Sequence, residues 1–164
     1  GTFADKNAGT SKVVTATGFA LAGADGGNYS LAQPAGLTAT ITPRPVTAAL
    51  AGGVSKAYDG TTFATLAPAN YTLSGTLAGD SVLLNSPAVG TYDSKAIGTN
   101  KAVTATGLSL VGGDAANYQL SATTLSAAIG TITKKLLTVL GVTAADKTYD
   151  GTTAAGRRGR RRPE

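Results

Sequence analysis

GTFADKNAGTSKVVTATGFALAGADGGNYSL, Gly1 to Leu31, returns as GTYDSKAIGTNKAVTATGLSLVGGDAANYQL, Gly90 to Leu120, with 17 of 31 positions identical. After a slip of two residues, ATIT at 39–42 meets GTIT at 130–133, and KAYDGTTFA at 56–64 meets KTYDGTTAA at 147–155, both at the new offset of 91. A period near 90 residues is a whole small domain, not one hairpin or helix pair of a solenoid. The chain therefore divides into four parts. Residues 1–43 read as the C-terminal half of a truncated repeat, 44–133 as a complete repeat, 134–155 as the start of a further repeat, and 156–164 as an arginine-rich tail outside the pattern. A window on a longer tandem array is expected, so the lack of a signal-peptide layout in GTFADKNAG carries no weight.

Inside each repeat the apolar residues alternate at period two. In LTATIT, Leu37, Ala39 and Ile41 share one face and the threonines the other. In KAVTATGLSL the inward set is Val103 and Ala105, then changes phase to Leu108 and Leu110 after Gly107; KVVTATGFAL makes the same change at Gly18. A phase slip at a glycine in both copies predicts a β-bulge or tight bend there. Turn residues at AGADGGN, AGGVS, LAPAN, GGDAAN and YDG leave segments of strand length between them. No ten-residue stretch has helical periodicity, although DAANY can make one turn. These features predict an all-β chain of tandem small antiparallel β-sandwich modules, Ig-like with roughly seven strands each, with a β-grasp-like arrangement as the alternative. Pro43, Arg44 and Pro45 are expected to form a short stiff linker between units.

Composition excludes much chemistry. With no cysteine and no histidine, the chain has no disulfide, no thiolate nucleophile, no sulfur-based zinc site and no imidazole base. No apolar run reaches the length of a membrane span, so no membrane insertion is expected. The net charge of +5 is local: Arg157, Arg158, Arg160, Arg161 and Arg162 carry five of the fourteen positive charges. The nine remaining face eight aspartates, which leaves the body near +1. Clustered arginines invite a nucleic-acid reading, but the tail has no aromatic residue for stacking and breaks the repeat where the first copy continues Phe63, Ala64, Thr65, Leu66. It is expected to be a foreign ending, with no nucleic-acid partner.

The twice-written YDGTT string has a structural explanation for every residue type. Asp59 and Asp150 accept hydrogen bonds from amides just ahead, Gly60 and Gly151 take a positive φ, and Thr61 and Thr62 restart a strand. Tyr58 is expected to lay its ring on the module edge with its hydroxyl satisfied by backbone; Lys56 and Lys147 stand two residues before Tyr58 and Tyr149. Asp25 and Asn28 recur as Asp114 and Asn117 in glycine-rich loops. They read as loop caps, with weak calcium ligation as the alternative, because one or two side chains make a poor cage for an ion that takes six or more oxygens. No phosphate-loop or dinucleotide fingerprint is present. A pair of carboxylates such as Asp80 and Asp114 lacks any feature placing the two together. No catalytic residue, metal or cofactor is expected.

The ordered series K-x-YDGTT, LSGTLAGDSVLL (73–84), GTYDSK, GTNKAVTATGLSL, GGDAANYQL and a closing A-x-IT strand resembles the YDG-type repeats of large bacterial surface proteins of the filamentous haemagglutinin kind. The likeness covers residues 1–155. It implies a non-enzymatic stalk or display module of a secreted adhesin, held at the Gram-negative outer membrane, whose partners are the neighbouring repeats of the same chain. The alternative is an adhesive module that binds a host-surface glycan or matrix protein through exposed Tyr71, Tyr92 or Tyr118, although all six tyrosines recur in motifs or precede strand-like runs, which favours core packing for them. The unpaired strand edges expected at 1–42 and 134–153 predict self-association.

Overall fold

The computed structural model describes residues 1–155 and the backbone of residues 157–158. Among them the chain is all-β, its helical pieces being three-residue 3-10 turns at Gly26–Asn28, Pro68–Asn70 and Ala115–Asn117. No helix among the described residues is long and apolar enough to cross a membrane. Gly1–Thr133 form one compact unit, and the chain from Lys134 onward forms a second.

The first unit opens with β1 (Thr2–Phe3), β2 (Gly9–Thr15) and β3 (Thr38–Ile41), an antiparallel sheet in that order. The complete repeat follows as β4 (Arg44–Leu50), β5 (Val54–Ala57), β6 (Phe63–Thr65), β7 (Tyr71–Ser74), β8 (Leu83–Leu84), β9 (Val89–Tyr92), β10 (Gly98–Thr106), β11 (Leu110–Val111), β12 (Tyr118–Leu120) and β13 (Thr124–Thr133). Five of these strands form one sheet ordered β5-β13-β10-β9-β6, whose edge strands β5 and β6 approach each other across the YDG turn, so the sheet is nearly closed and barrel-like. A smaller sheet ordered β12-β4-β7 and the pair β11-β8 complete the module. In the second unit β14 (Thr143–Ala144) pairs antiparallel with β15 (Arg157–Arg158).

The two copies share a ladder register. Thr2 and Phe3 lie opposite Thr15 and Val14, as Thr91 and Tyr92 lie opposite Thr104 and Val103. Gly9 faces Ile41 and Lys12 faces Ala39, as Gly98 faces Ile132 and Lys101 faces Gly130. In each copy the ladder slips between the glycine and the lysine, where Ser11 and Asn100 take φ of 51° and 53°. That shared bulge lies upstream of the expected position. Gly18 and Gly107, with φ of 86° and 73°, bend the chain after the strands and produce the phase change read in the sequence.

Three expectations are corrected. The module is not purely antiparallel: β12 runs parallel to β4, and β13 parallel to β5, so the opening strands lie beside the closing ones. Period-two alternation reports which face is buried and carries no information about strand direction. Arg44 and Pro45 are not a linker but the start of β4. Pro45, lacking an N–H, sits opposite Gln119 of β12 and ahead of Thr47, where β7 joins the other side. Ten strands, several only two residues long, replace the roughly seven expected.

The main core gathers Leu50, Val54, Ala64, Leu66, Tyr71, Tyr92, Val103, Ala105, Leu108 and Ile132; a satellite packs Val46, Val82 and Tyr118. Val103, Ala105 and Leu108 are the inward positions read from KAVTATGLSL. Gly130 lies against the Tyr92 ring, where an added Cβ would stand 2.5 Å from Cε1 and 2.9 Å from the Lys101 carbonyl oxygen.

Candidate functional site

The YDG string folds into a knot that closes on itself. Asp59 Oδ1 accepts from the Thr61 N–H and the Thr61 hydroxyl, both at 2.9 Å, while Gly60 takes φ of 83°. Lys56, on β5, reaches over the turn so that Nζ donates to Asp59 Oδ1, Thr61 O and Thr61 Oγ1, each at 2.9 Å. The lysine bond, then the two from Thr61, hold the Asp59 carboxyl down at about 2, against an ordinary 3.8. The second copy repeats the arrangement: Lys147 Nζ donates to Asp150 Oδ1, Thr152 O and Thr152 Oγ1 at 2.7–3.0 Å, Asp150 accepts from Thr152, and Gly151 has φ of 73°. All of these bonds span at most five residues. The knot therefore forms alike in both units, whatever surrounds it.

In the complete repeat the knot is anchored to the core. Lys56 Nζ lies 5.5 Å from the centroid of the Tyr92 ring, and the Thr62 carbonyl accepts from the Tyr92 N–H at 2.7 Å. Tyr58 stays partly exposed at the edge and is tied by its N–H to Thr133 O. Three other tyrosine hydroxyls meet backbone: Tyr71 donates to Pro87 O, Tyr92 donates to Val54 O, and Tyr118 accepts from the Leu77 N–H. Tyr149 stands almost wholly exposed. Tyr71, Tyr92 and Tyr118 are all buried, in keeping with core packing and not with the alternative of exposed sugar platforms, because each occupies an inward strand position.

A second constellation joins the leading half-repeat to the complete one. Asn117 Oδ1 accepts from the Ala8 N–H at 2.8 Å, and its Nδ2 donates to Asn7 Oδ1 at 3.2 Å. Lys6 Nζ reaches Asp80 Oδ1 at 3.5 Å, and Asp80 Oδ2 accepts from the Tyr118 hydroxyl at 2.6 Å. The Tyr118 bond lowers the Asp80 pKa and raises that of Tyr118. Lys6, Ala8, Asp80, Asn117 and Tyr118 border a cleft of about 280 Å³ that also takes in Ile41, Thr42, Arg44 and Leu77. Asp114 accepts from the Ser81 N–H at 2.9 Å, and its own N–H donates to Ser81 O. The loops of Asp80 and Asp114 are thus adjacent, although no feature of the chain between them foretells it, yet each carboxylate is committed to its own partners. Asp25 and Asn28 make only backbone turn bonds, since the residues that engage Asp114 and Asn117 have no counterpart beside them. Among the described residues no group of three or more His, Cys, Asp or Glu converges as metal ligands.

One pairing was missed by the sequence reading. Lys101, only 8 % exposed, pairs with Asp93 Oδ1 at 2.7 Å and donates to Ser94 Oγ at 2.7 Å. In the other copy Lys12 pairs with Asp5, which stands at the place of Ser94, while Ala4 stands at the place of Asp93. The carboxylate has moved by one residue and the ion pair has survived. The available signal was a lysine in the inward phase of an alternating strand, two residues before Val103.

The arginine tail lies outside the described residues except for the backbone of 157–158. The family model described as the YDG domain matches residues 1–36 and 42–125. No curated protein and no solved structure matches the chain.

Proposed function

The chain belongs to the YDG domain family, and from that premise we propose that it is a non-enzymatic structural repeat of a secreted bacterial surface adhesin, extending a binding region away from the outer membrane. The observation that carries this reading is the joint between copies. Lys6, Asn7 and Ala8 of one copy meet Asp80 and Asn117 of the next, so motif residues are spent on stacking repeats. The knot supports the same reading, because its lysine, aspartate and threonine satisfy one another. Tandem modules with a built joint give reach, and repetition converts weak contacts into avidity. Partners under this proposal are the neighbouring repeats; no cofactor is required.

The test places one to several copies of residues 44–133 between an outer-membrane anchor and a binding head of known ligand on a bacterial surface. Capture of ligand-coated beads held back by a polymer brush should improve step by step with copy number. Capture independent of copy number defeats the spacer reading. Binding of glycans by the array with the head removed would favour direct adhesion instead.

A further inference from the structure

The cleft at the joint has charges that do not balance. One wall comes from the leading copy, with Lys6, Ile41 and Thr42, and the other from the complete repeat, with Arg44, Leu77 and Asp80. At about 280 Å³ it lies near the small end of ligand pockets, which begin at about 300 Å³. Its carboxylate is already occupied: Asp80 Oδ2 accepts from the Tyr118 hydroxyl at 2.6 Å, and Oδ1 lies 3.5 Å from Lys6 Nζ. The cations are not. Arg44, at the start of β4 opposite Tyr118, donates through Nε to Gly75 O at 2.8 Å, and among the described residues nothing else takes up its guanidinium. Lys6 keeps 75 % of its side chain exposed at the end of a long contact, the kind of pair that is worth little in water. Two positive heads thus stand beside one carboxylate, over a floor made partly apolar by Ile41 and Leu77.

An anchored guanidinium with donors to spare is a fork for a carboxylate: Nε fixes its plane, and the terminal N–H groups remain for the two oxygens. We infer that the joint binds a small organic acid, one carboxylate on a compact apolar body. The carboxylate sits on Arg44, Lys6 closes over it, and the body lies against Ile41 and Leu77. With two cations and one carboxylate the site carries one net positive charge, which a single carboxylate neutralises and a phosphate dianion exceeds, beside the like charge of Asp80. Because the walls belong to two copies, bound acid holds the joint shut, and closure of the joint in turn strengthens binding. The cleft residues belong to the repeat pattern: Lys6, Ile41 and Thr42 recur as Lys95, Ile132 and Thr133, and Arg44 is matched by Lys135, which keeps the charge without the fork. The inference goes beyond the spacer reading and stands without it, since it rests on the groups that line the cleft.

The test is an amide NMR titration of the full chain with N-acetyl-leucine, with its neutral amide and inorganic phosphate as comparisons. The Ala8 and Leu77 amides, which donate to Asn117 Oδ1 and to the Tyr118 hydroxyl, belong to residues that line the cleft and should shift saturably with the acid. The neutral amide and phosphate should each bind about tenfold more weakly or worse. At ten times its Kd the acid should slow hydrogen exchange at Ala8 about tenfold and leave the core amide of Val103 unchanged. Arg44→Gln should weaken binding about tenfold, Arg44→Lys by less, and Asp80→Asn should tighten it several-fold. The Val103 amide reports whether each variant is folded. Should Arg44→Gln fail to fold, Lys6→Gln, at an exposed side chain, carries the test with a several-fold loss. A short peptide ending in leucine separates two sources of the same chemistry: binding as tight as that of acetyl-leucine assigns the carboxy terminus of a chain, weaker binding assigns the free acid, and both uphold the site. Absent or unsaturable shifts, acid and neutral amide or phosphate bound alike, parental affinity in the folded Arg44 or Lys6 variant, weaker binding by Asp80→Asn, or unaltered Ala8 exchange would each overturn the proposal.

Discussion

Replacing Gly130 with alanine tests the packing at the centre of the module. The new Cβ would stand 2.5 Å from Tyr92 Cε1 and 2.9 Å from Cδ1 and from the Lys101 carbonyl oxygen, so the ring or the β10 backbone must move. The ring cannot tilt freely, because its hydroxyl donates to Val54 O at 3.0 Å. Overpacking of this kind costs about 1–3 kcal/mol. For a module of this length that corresponds to a fall of roughly 5–20 °C in the thermal midpoint. The half-repeat indicates how the strain is relieved: alanine stands there as Ala39, and the matched ring is Phe3, without a hydroxyl. Tyr92→Phe alone should cost about 1 kcal/mol, the net worth of one hydrogen bond. In the double variant the freed ring should tilt away from the new methyl group, so the combined loss should fall short of the sum by about 0.5 kcal/mol or more. Urea and thermal melts followed by tyrosine fluorescence, which no tryptophan obscures, give all four corners of the cycle. A Gly130→Ala midpoint within error of the parent, or strict additivity, would refute the account of ring, tether and glycine.

Acid should weaken the fold in a defined window. The Asp59 carboxyl is depressed from 3.8 to about 2 in the folded state, so its contribution is complete above about pH 4 and is lost as pH falls through about 2. Asp59→Asn should flatten that part of the midpoint-against-pH curve, while Asp5, Asp80, Asp93 and Asp150, also lowered, leave a residual slope; an unchanged curve contradicts the knot. Asp93→Ala should lower the thermal midpoint by stranding Lys101, and adding Ser94→Asp should recover it by copying the Lys12 and Asp5 arrangement; failure of the second change to help would sink the relocated ion pair. Asn117→Ala should speed hydrogen exchange at the Ala8 amide and leave the core amide of Val103 unchanged, and equal protection in both proteins would show that the joint does not hold there.

The repeat, the turn and the inward face of β10 were legible because each depends on residues close in the chain. KAVTATGLSL announces its buried face by alternation, and Asp59-Gly60 announces its turn by residue type. What escaped depends on partners far apart in sequence. Nothing in RPVTAAL signals that it runs parallel to Tyr118–Leu120, and the bulge at Asn100 arises from ladder geometry with β13. The joint escaped for the same reason: Asn117 reads as a loop cap until Ala8 is seen to donate to it. Core packing of Tyr71, Tyr92 and Tyr118, by contrast, was legible from their places in recurring motifs and before strand-like runs, and only the sheets that close over them were not.

The parallel placement of β5 beside β13 has a mechanical meaning. The complete repeat is entered at Arg44, the start of β4, and left at Thr133, the end of β13; each of these strands has a parallel neighbour, β12 and β5, so tension along the chain loads both parallel ladders along their length. Their hydrogen bonds are then loaded in shear and must rupture together, whereas the bonds of an antiparallel hairpin peel apart one by one. The Tyr92 hydroxyl, donating to Val54 O at 3.0 Å with Thr131 O at 3.5 Å, rivets the β5 and β13 pair from beneath. Pulled from its ends, such a module should resist as a clamp and give way abruptly.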